Sequence, residues 1–252
     1  MNAFVTGASQ GIGRGVAKIL SDAGYDIAFT YGAAEEEARS LHAEITAKGR
    51  RCFFYQASLE KPDVPGEATR RAIADLDGID AIVCNAGRTI YNDLLHMDPS
   101  VLEYLYGLNY RAYLLCAKEA ARDMVDRGVR GNIVFITSTR GIRAYPDDAI
   151  YGGLKAALNR SAESMALDLA KHGIRVNCVA PGATVVRGGF TEAELAGSPF
   201  AKLIPLGRLG TPEGVGYLVK YIISPEAGYM TGNIIKLDGG LILPGTPERP
   251  AD

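Results

Sequence analysis

The amino-acid sequence predicts an α/β protein with a doubly wound parallel sheet of about seven strands and helices on both faces. Short apolar runs rich in β-branched residues alternate with longer segments of helical periodicity along most of the chain, which is the pattern of a helix-covered parallel sheet. The strand runs are continuously apolar rather than alternating, as expected when both faces of a sheet are buried.

Seven strands and six helices are predicted, in the order βαβαβ and onward. The strands are predicted at Asn2–Thr6, Asp26–Thr30, Cys52–Gln56, Ala81–Cys84, Asn132–Thr137, Arg175–Val179 and Ile234–Leu237. The helices are predicted at Ile12–Ala23, Glu35–Lys48, Ala68–Asp75, Pro99–Arg127, Tyr151–Lys171 and Pro212–Ile223. We find no internal repeat and no Gly/Ser linker, so we expect a single domain over residues 1–252.

The composition is that of an ordinary globular protein and argues against several partners. Of 252 residues, 47% are hydrophobic, and the net charge is −2, so no global field attracts nucleic acid or an acidic membrane. No stretch approaches the roughly 18 consecutive apolar residues of a membrane span, and the N-terminus lacks the basic and apolar regions of a secretory signal. We expect a cytoplasmic protein with no nucleic-acid or membrane partner.

The cysteines and histidines point to no disulfide framework and no metal site. Cys52, Cys84, Cys116 and Cys178 lie far apart, form no CxxC pair and are each embedded in an apolar run. We expect buried thiols in a reducing, cytosolic compartment. The three histidines form no ligand-spaced cluster with cysteines or carboxylates, so we expect no metal.

A glycine-rich turn, TGASQGIG from Thr6 to Gly13, directly follows the first strand and opens the first helix. Gly7 permits a tight turn, Gly11 permits close approach of a ligand to the backbone, and Gly13 permits close packing of helix and strand. Backbone N–H groups and the positive end of the helix dipole can then bind a dinucleotide pyrophosphate. Taken alone, the motif is equally compatible with a plain tight turn.

Further motifs follow the turn in a fixed order along the chain. They are Asn85-Ala86-Gly87, Asn109, Ser138, Tyr151-x-x-x-Lys155, Pro181-Gly182 and the C-terminal segment from Tyr229 to Gly240. Together with the TGxxxGxG spacing of the turn, this order resembles that of the short-chain dehydrogenases/reductases over nearly the whole chain. The resemblance implies a Rossmann-like fold and an oxidoreductase that uses NAD(P)(H).

The chemistry of the tyrosine motif can also be argued from the residues. Tyr151 and Lys155 are four residues apart at the start of a predicted helix, so their side chains share one face. A nearby ammonium favours tyrosinate, and a phenol so stabilised can act as a general acid–base near neutral pH. Ser138 follows the fifth strand and can offer its hydroxyl to the same substrate oxygen. Taken alone, the pair is more simply a tyrosine packed at a helix start with a solvated lysine one turn on. Ser138 and the glycine-rich turn in register favour the catalytic interpretation instead.

The resemblance assigns catalytic roles to four positions. Tyr151 exchanges the proton, and Ser138 orients and stabilises the substrate oxygen. Lys155 lowers the pKa of Tyr151 and holds the nicotinamide ribose. Asn109 supports a water-mediated proton relay.

The resemblance also implies a set of cofactor-binding residues. They are Gly7, Ser9, Gln10, Gly11, Ile12, Gly13, Thr30, Tyr31, Ser58, Leu59, Asn85, Ala86, Gly87, Tyr151, Lys155, Pro181, Gly182 and Thr184. A second interpretation of Asn85 is a structural amide that joins neighbouring strands, and both roles are compatible.

Two places depart from the common pattern of the family. Leu154 stands where many relatives have serine, beside Gly152 and Gly153, which weaken a helix interior. Ser58 stands where an aspartate that binds the adenine amine is usual. The second departure weakens the prediction of an adenine site without removing it.

The end of the second strand, Phe29-Thr30-Tyr31-Gly32, bears on the type of cofactor. It lacks the Asp or Glu that would bind the ribose 2′-hydroxyl and repel a 2′-phosphate, which favours NADP(H). This loop also lacks Arg and Lys, residue 10 is glutamine, and three glutamates follow at positions 35–37. We interpret those glutamates as a solvated first helical turn stabilised by the helix dipole, and NAD(H) remains the alternative.

The long stretch from Gly182 to Gly210 interrupts the alternation of strands and helices. An insertion of that length in a compact domain predicts a substrate lid, over about residues 183–210. A disordered loop is the alternative, but apolar residues such as Leu195 and Phe200 argue for packing.

Three residues are candidates for substrate binding. Arg140 and Tyr145 follow the fifth strand in the segment that should border the pocket, and Arg187 begins the lid. They suggest an anionic or polyhydroxylated substrate. The alternative is that these arginines are surface residues paired with Asp147 and Asp148.

The function favoured is an NADPH-preferring oxidoreductase that interconverts a ketone or aldehyde and an alcohol, on a small polar substrate of the sugar or polyol type. A 3-oxoacyl-[acyl-carrier-protein] reductase is the alternative among enzymes. A non-catalytic dinucleotide-sensing regulator or scaffold is the alternative of another class, although a sensor needs no proton donor such as Tyr151. The resemblance also implies a homotetramer, with contacts through the helices Pro99–Arg127 and Tyr151–Lys171.

Overall fold

Seven parallel strands form one sheet in the computed structural model, which describes residues 1–186 and 191–244. The strands are β1 Asn2–Val5, β2 Asp26–Tyr31, β3 Cys52–Gln56, β4 Ala81–Cys84, β5 Asn132–Ile136, β6 Arg175–Pro181 and β7 Ile234–Leu237. Their spatial order is β3-β2-β1-β4-β5-β6-β7. This arrangement confirms the predicted doubly wound, Rossmann-like α/β class.

Helices cover both faces of the sheet. They are α1 Gly11–Asp22, α2 Glu35–Thr46, α3 Val64–Leu76, α4 Pro99–Tyr106, α5 Ala112–Asp126, α6 Ala149–Ala170, α7 Glu192–Gly197 and α8 Pro212–Ile223. One buried apolar cluster joins the sheet to α1, α2 and α8, and a second joins the opposite face to α3, α5 and α6. Neighbouring residues of one strand, such as Phe4 and Val5, belong to different clusters, which explains the continuously apolar strand sequences.

The predicted long helix Pro99–Arg127 is not one regular helix. A π-helical turn, Gly107–Arg111, separates α4 from α5. The Asn109 amide donates to the carbonyl of Leu105, four residues earlier, at 3.3 Å, and thereby competes with the regular backbone ladder. A side chain at Gly107 would lie 2.6 Å from the carbonyl oxygen of Glu60, so this turn also packs unusually close to the segment after β3.

The helix predicted at Ala68–Asp75 begins one turn earlier, at Val64. Pro65 occupies the first turn, where a missing N–H costs nothing. The predicted burial of the four cysteines is confirmed, and all four are free thiols. In the ranges that the structure describes, no helix combines the length and the apolar character needed to cross a bilayer.

The predicted lid contains ordered secondary structure within its described part. Thr191 and Glu194 form a reciprocal capping box at the start of α7, and a 3₁₀ turn follows at Pro199–Leu203. Leu195 is buried, as its apolar character predicts, but Phe200 is exposed. Arg187, predicted to begin the lid, lies outside the described residues.

The sheet order reverses direction at β1 and β4, because the chain runs outward from β1 to β3 and then crosses back to β4. At such a switch point the loops after the two strands diverge and leave a crevice at their carboxyl ends. The glycine-rich turn follows β1 and the Asn85-Ala86-Gly87 motif follows β4, so the topology places both motifs at this crevice.

Candidate active site

A cleft of about 820 Å³ opens along the carboxyl edge of the sheet. Residues that follow β1, β2, β3, β4, β5 and β6 line it, together with the first turns of α6. Of the predicted cofactor-binding residues, all but Gly13 line this cleft, and so do Ser138, Tyr151 and Lys155. Asn109, Arg140 and Tyr145 lie outside the lining.

The glycine-rich turn forms one end of the cleft in a conformation that glycine alone adopts easily. Gly7 and Gly11 have φ angles of +66° and +57°, in the left-handed region that side chains disfavour. The Gly7 N–H donates to the Thr30 hydroxyl at 2.9 Å. A side chain at Gly7 would lie 2.9 Å from Cα and Cβ of Ala86, so the turn packs directly on the loop after β4.

Asn85 clamps this turn to β4. Its amide nitrogen donates to the carbonyl oxygens of Thr6 and Gly7, both at 3.0 Å. The Thr6 hydroxyl in return accepts from the backbone N–H groups of Asn85 and Ala86 at 2.9 and 3.0 Å. The predicted structural role of Asn85, an amide that joins neighbouring strands, is therefore confirmed, and the same residue lines the cleft.

The turn and the helix behind it fit a dinucleotide phosphate. Within the described chain, the Gln10 side chain makes no capping hydrogen bond to α1, and the first turn of α1 holds no acidic residue. The first N–H groups of this 12-residue helix thus keep their capacity to bind an anion. Gly11 leaves this end of the cleft free of a side chain, where an added Cβ would lie 3.2 Å from the Val186 carbonyl.

Tyr151 and Ser138 meet on the wall of the cleft. Ser138 follows β5, and its hydroxyl also accepts from the Arg140 backbone N–H at 3.1 Å. Burial raises the pKa of Tyr151, while hydrogen bonds with the Thr89 and Ser138 hydroxyls act in the opposite direction without reversing the shift. The net pKa of Tyr151 is therefore raised and not lowered as expected, because desolvation outweighs the stabilising contacts.

Lys155 lies at the floor of the cleft and is 2% exposed. Its ammonium donates to the Tyr113 hydroxyl and to the Ile136 carbonyl, both at 3.0 Å. It lies 5.7 Å from the ring centre of Tyr151. Burial lowers the pKa of Lys155 to about 7, because the surroundings offer few charges to compensate for lost water.

Asn109 holds the loop after β4 from behind the cleft. Its side chain is fully buried, accepts from the Arg88 N–H at 3.2 Å and donates to the Arg88 carbonyl at 3.0 Å. A side chain at Gly87 would lie 2.6 Å from the side-chain oxygen Oδ1 of Asn109. The π-helical turn thus aims Asn109 at the Asn85-Ala86-Gly87 motif.

Arg140 forms an ion pair rather than an open anion site. Its guanidinium lies 3.1 Å from the carboxylate of buried Asp148 and stacks near the rings of Tyr91 and Tyr145, at 5.1 and 4.7 Å. This agrees with the alternative that the arginine is paired with an aspartate. A side chain at Gly152 would lie 2.9 Å from Arg140 and Asp148, which accounts for the first of the paired glycines.

The described lining residues at the end of β2 and just after it include no carboxylate, and the carboxylate in the lining, Glu60, follows β3. The far end of the cleft is formed by Thr30, Tyr31, Gly32 and the following alanines. The glutamates at positions 35–37 are exposed in the first turn of α2, as expected. The guanidinium of Arg14 is close by but is engaged by Glu44 and by backbone carbonyls.

Several cleft residues escaped the sequence analysis. They include Glu60, Arg88, Thr89, Tyr104, Leu108 and Val186, none of which belongs to a recognisable motif. Tyr113 follows Asn109 by four residues, a spacing that places both on one helix face and could have drawn attention to it. Within residues 1–186 and 191–244, His, Cys, Asp and Glu side chains form no group suited to a metal ion.

Comparisons with known proteins agree with this geometry. A profile of the family described as "Enoyl-(Acyl carrier protein) reductase" matches residues 7–242. The 3-oxoacyl-[acyl-carrier-protein] reductase FabG of Staphylococcus epidermidis is 32% identical over 242 residues, which cover 96% of this chain and 99% of the relative. The chain belongs to the short-chain dehydrogenase/reductase family. It is thus an oxidoreductase of a family that binds NAD(P)(H).

Two further members of the family are similar over almost their whole length. The uncharacterised oxidoreductase YohF of Escherichia coli is 33% identical over 250 residues, 98% of each chain. The crystal structure of acetoin dehydrogenase from Enterobacter cloacae superposes with a TM-score of 0.91 at 32% identity, covering 98% of each chain. The family assignment therefore rests on sequence and on fold.

Proposed function

We propose that this dehydrogenase/reductase interconverts a ketone or aldehyde and the corresponding alcohol, with NADP(H) as its preferred cofactor. The observation that carries the proposal is the position of the Tyr151 and Ser138 hydroxyls and the Lys155 ammonium in one cleft. The glycine-rich turn lines the same cleft, so a dinucleotide held there shares the space with these three side chains.

The bound nicotinamide supplies the hydride in reduction and accepts it in oxidation. In reduction, Tyr151 donates its hydroxyl proton to the substrate oxygen, and its raised pKa keeps that proton in place near neutral pH. Ser138 hydrogen-bonds the same oxygen, and the Lys155 ammonium stabilises the tyrosinate that remains. A role for Asn109 in a water-mediated relay that returns a proton to Tyr151 stays a prediction, because its side chain is bonded to the Arg88 backbone.

The preference for NADP(H) rests on the end of the cleft after β2. The residues there present no carboxylate that would repel a 2′-phosphate. Gly32 has open space around its Cα, with nothing within 4 Å of an added Cβ, so a bulky phosphate meets no side chain at this position. NAD(H) is the alternative, because the cation close by, Arg14, is already engaged.

We propose a small polar carbonyl compound as substrate. The Thr89 hydroxyl hydrogen-bonds Tyr151 beside the reacting groups, so it is placed to bind a polar substrate. Arg140 is paired with Asp148, which leaves Arg88 as the cation besides Lys155 among the described lining residues. The similarity to acetoin dehydrogenase supports a small hydroxyketone, of which sugars and polyols are larger relatives. A 3-oxoacyl thioester is the second candidate, because FabG proteins are similar over the whole chain.

The experiment that tests the function combines nucleotide titration with turnover. NADPH and NADH are titrated separately into the purified protein by fluorescence, and the tighter cofactor is then assayed with diacetyl, acetoin, a sugar panel and acetoacetyl-CoA. Turnover of the small ketones supports the first candidate, and exclusive turnover of acetoacetyl-CoA supports the second. Binding without any turnover would favour a dinucleotide sensor.

Substitution of Tyr151 by phenylalanine separates proton transfer from binding. We expect Tyr151→Phe to lower kcat about 10²- to 10⁴-fold, because the general acid is lost, while the Kd for NADPH changes little. Activity and Kd are measured on the same preparation. Unchanged turnover in Tyr151→Phe contradicts the assigned role.

We also propose a homotetramer with contacts through α4, α5 and α6. Leu167 on α6 is 80% exposed and Val125 on α5 is 36% exposed, and a neighbouring chain would bury such apolar groups. Light scattering at micromolar concentration tests the assembly. Particles of 26.8 kDa, the mass of one chain, would contradict it.

A further inference from the structure

A buried tyrosine hydroxyl outside the family's motifs contacts the lysine of the active site. Tyr113 is 1% exposed and stands in the first turn of α5, directly after the π-helical turn. Its hydroxyl accepts from the Lys155 ammonium at 3.0 Å and donates to the Ile136 carbonyl at 3.2 Å. The ammonium itself donates to Ile136 at 3.0 Å, so these three groups form a closed triangle beneath the cleft.

We propose that Tyr113 is a positioning residue, whose hydroxyl holds the Lys155 ammonium at the floor of the cleft so that the remaining N–H faces the reacting groups. This proposal rests on the proposed function. An ammonium has three N–H donors. Tyr113 and Ile136 take two of them, and Lys155 itself lines the cleft, where the third is available.

The surroundings of Lys155 make this acceptor important. The titratable groups that face the ammonium are the thiols of Cys84 on β4 and Cys178 on β6, together with Tyr113 and Tyr151. Burial raises the pKa of Cys84 and raises that of Cys178 to about 12, so both thiols are neutral near pH 7. With no carboxylate among these groups, uncharged acceptors stabilise the ammonium.

The ring of Tyr113 is itself held in place, which gives its hydroxyl a defined position. It packs edge to face against Phe135 with ring centres 5.7 Å apart, and the Lys155 ammonium lies 4.5 Å from the centre of the Tyr113 ring. Tyr113→Phe therefore removes one oxygen and leaves the packing surface intact. The ammonium then keeps only the Ile136 carbonyl of the two acceptors.

The expected effect is a downward shift of the Lys155 pKa, because a lost acceptor destabilises the charged form. A hydrogen bond to a charged group corresponds to a shift of about one pH unit. The ammonium form is needed to stabilise the tyrosinate, so the alkaline limb of the kcat/KM profile moves to lower pH by the same amount. From a starting pKa of about 7, kcat/KM falls about tenfold at pH 8 and less than about twofold at pH 6.

The primary test is an NMR titration that does not depend on turnover. The protein is labelled with [ε-¹³C]lysine, and the Lys155 signal is assigned by its loss in Lys155→Met. The titration compares wild type, Tyr113→Phe and a matched control, Tyr55→Phe. Tyr55 is also buried, but its hydroxyl bonds Asp75 on α3, away from Lys155.

The proposal is supported if the pKa of Lys155 is lower in Tyr113→Phe and keeps the wild-type value in Tyr55→Phe. A matching shift of the kcat/KM profile to lower pH in Tyr113→Phe links that change to catalysis. An unchanged Lys155 pKa overturns the proposal, even if Tyr113→Phe lowers the Tm, because a merely structural role would change stability alone. Absence of turnover in wild type would contradict the proposed function, and the NMR titration would still decide whether Tyr113 holds Lys155.

Discussion

Gly13 offers a quantitative test of the cofactor site, because it touches the glycine-rich turn without lining the cleft. It lies in the first turn of α1 and faces the turn from behind. A methyl group in Gly13→Ala would lie 2.5 Å from the Asn85 side-chain nitrogen, 2.9 Å from Ala8 Cα and closer still to the Gly7 carbonyl oxygen. Normal contact distances require the turn and α1 to separate by about 0.5 Å or more.

That movement should lower both the stability of the protein and its affinity for NADPH. Overpacking of a well-packed site costs about 1–3 kcal/mol, and each kcal/mol lowers the Tm of a chain of this size by about 2–4 °C. We therefore expect the Tm to fall by about 5 °C. The movement also breaks the clamp from Asn85 to Gly7, and loss of one charged hydrogen bond to the pyrophosphate weakens NADPH binding about tenfold to a hundredfold.

The assay is fluorescence titration of NADPH with a thermal melt of the same samples. Gly153→Ala is the matched control, because Gly153 also lies in the first turns of a helix but has open space around an added Cβ. There the methyl group should leave NADPH affinity unchanged and raise stability by up to about 1 kcal/mol. Wild-type Tm and Kd values in Gly13→Ala would refute the packing argument and the placement of the cofactor.

Two further predictions concern charge. Gly32→Asp places a carboxylate at the open end of the cleft, so we expect weaker binding of NADPH but unchanged binding of NADH. The control variant Gly32→Asn should bind both nucleotides as wild type does. Equal losses of affinity for both nucleotides in Gly32→Asp would contradict the proposed 2′-phosphate site. Asp26 accepts from Arg50 at 2.7 Å and from Arg51 at 2.9 Å. Burial raises the pKa of Asp26, but these hydrogen bonds outweigh burial and leave it below its usual value. The stabilisation is therefore complete above the unfolded-state pKa of about 4 and is lost as the pH falls through the folded-state pKa. Asp26→Asn should lower the free energy of unfolding by about 1–2 kcal/mol at pH 7. Urea denaturation should show the gap between wild type and variant narrowing below about pH 4. A gap that does not change with pH would show that the Asp26 charge does not supply the stabilisation.

The motifs of the proposed cofactor site could be located without coordinates because the relation of each motif to its own strand and helix is local. A glycine-rich turn between a strand and a helix lies at the carboxyl end of that strand, and parallel strands bring all such ends to one edge. This reasoning placed Gly7, Asn85 and Ser138 at the same edge of the sheet. The spacing of Tyr151 and Lys155 by four residues likewise set them on one face of a helix.

Interactions between distant elements could not be predicted in this way. The π-helical turn at Gly107–Arg111 packs against the carbonyl of Glu60 and bonds the Arg88 backbone in the loop after β4. No periodicity of α4 or α5 reveals these contacts. The pairing of Arg140 with Asp148 was one of two open alternatives, since spacing does not say whether a guanidinium faces a carboxylate or the cleft.

The pKa values of Tyr151 and Lys155 show most clearly what the sequence determines and what the tertiary structure decides. The chain alone specifies that Tyr151 and Lys155 are neighbours, and from that proximity a lowered pKa of Tyr151 follows. The fold decides otherwise, because desolvation depends on how many elements pack around a group. Burial raises the pKa of Tyr151, lowers that of Lys155 and supplies Tyr113 from a different helix as the acceptor for the ammonium. Local order along the chain thus determines which motifs lie at the carboxyl edge of the sheet, and packing of distant segments determines their contacts and their protonation.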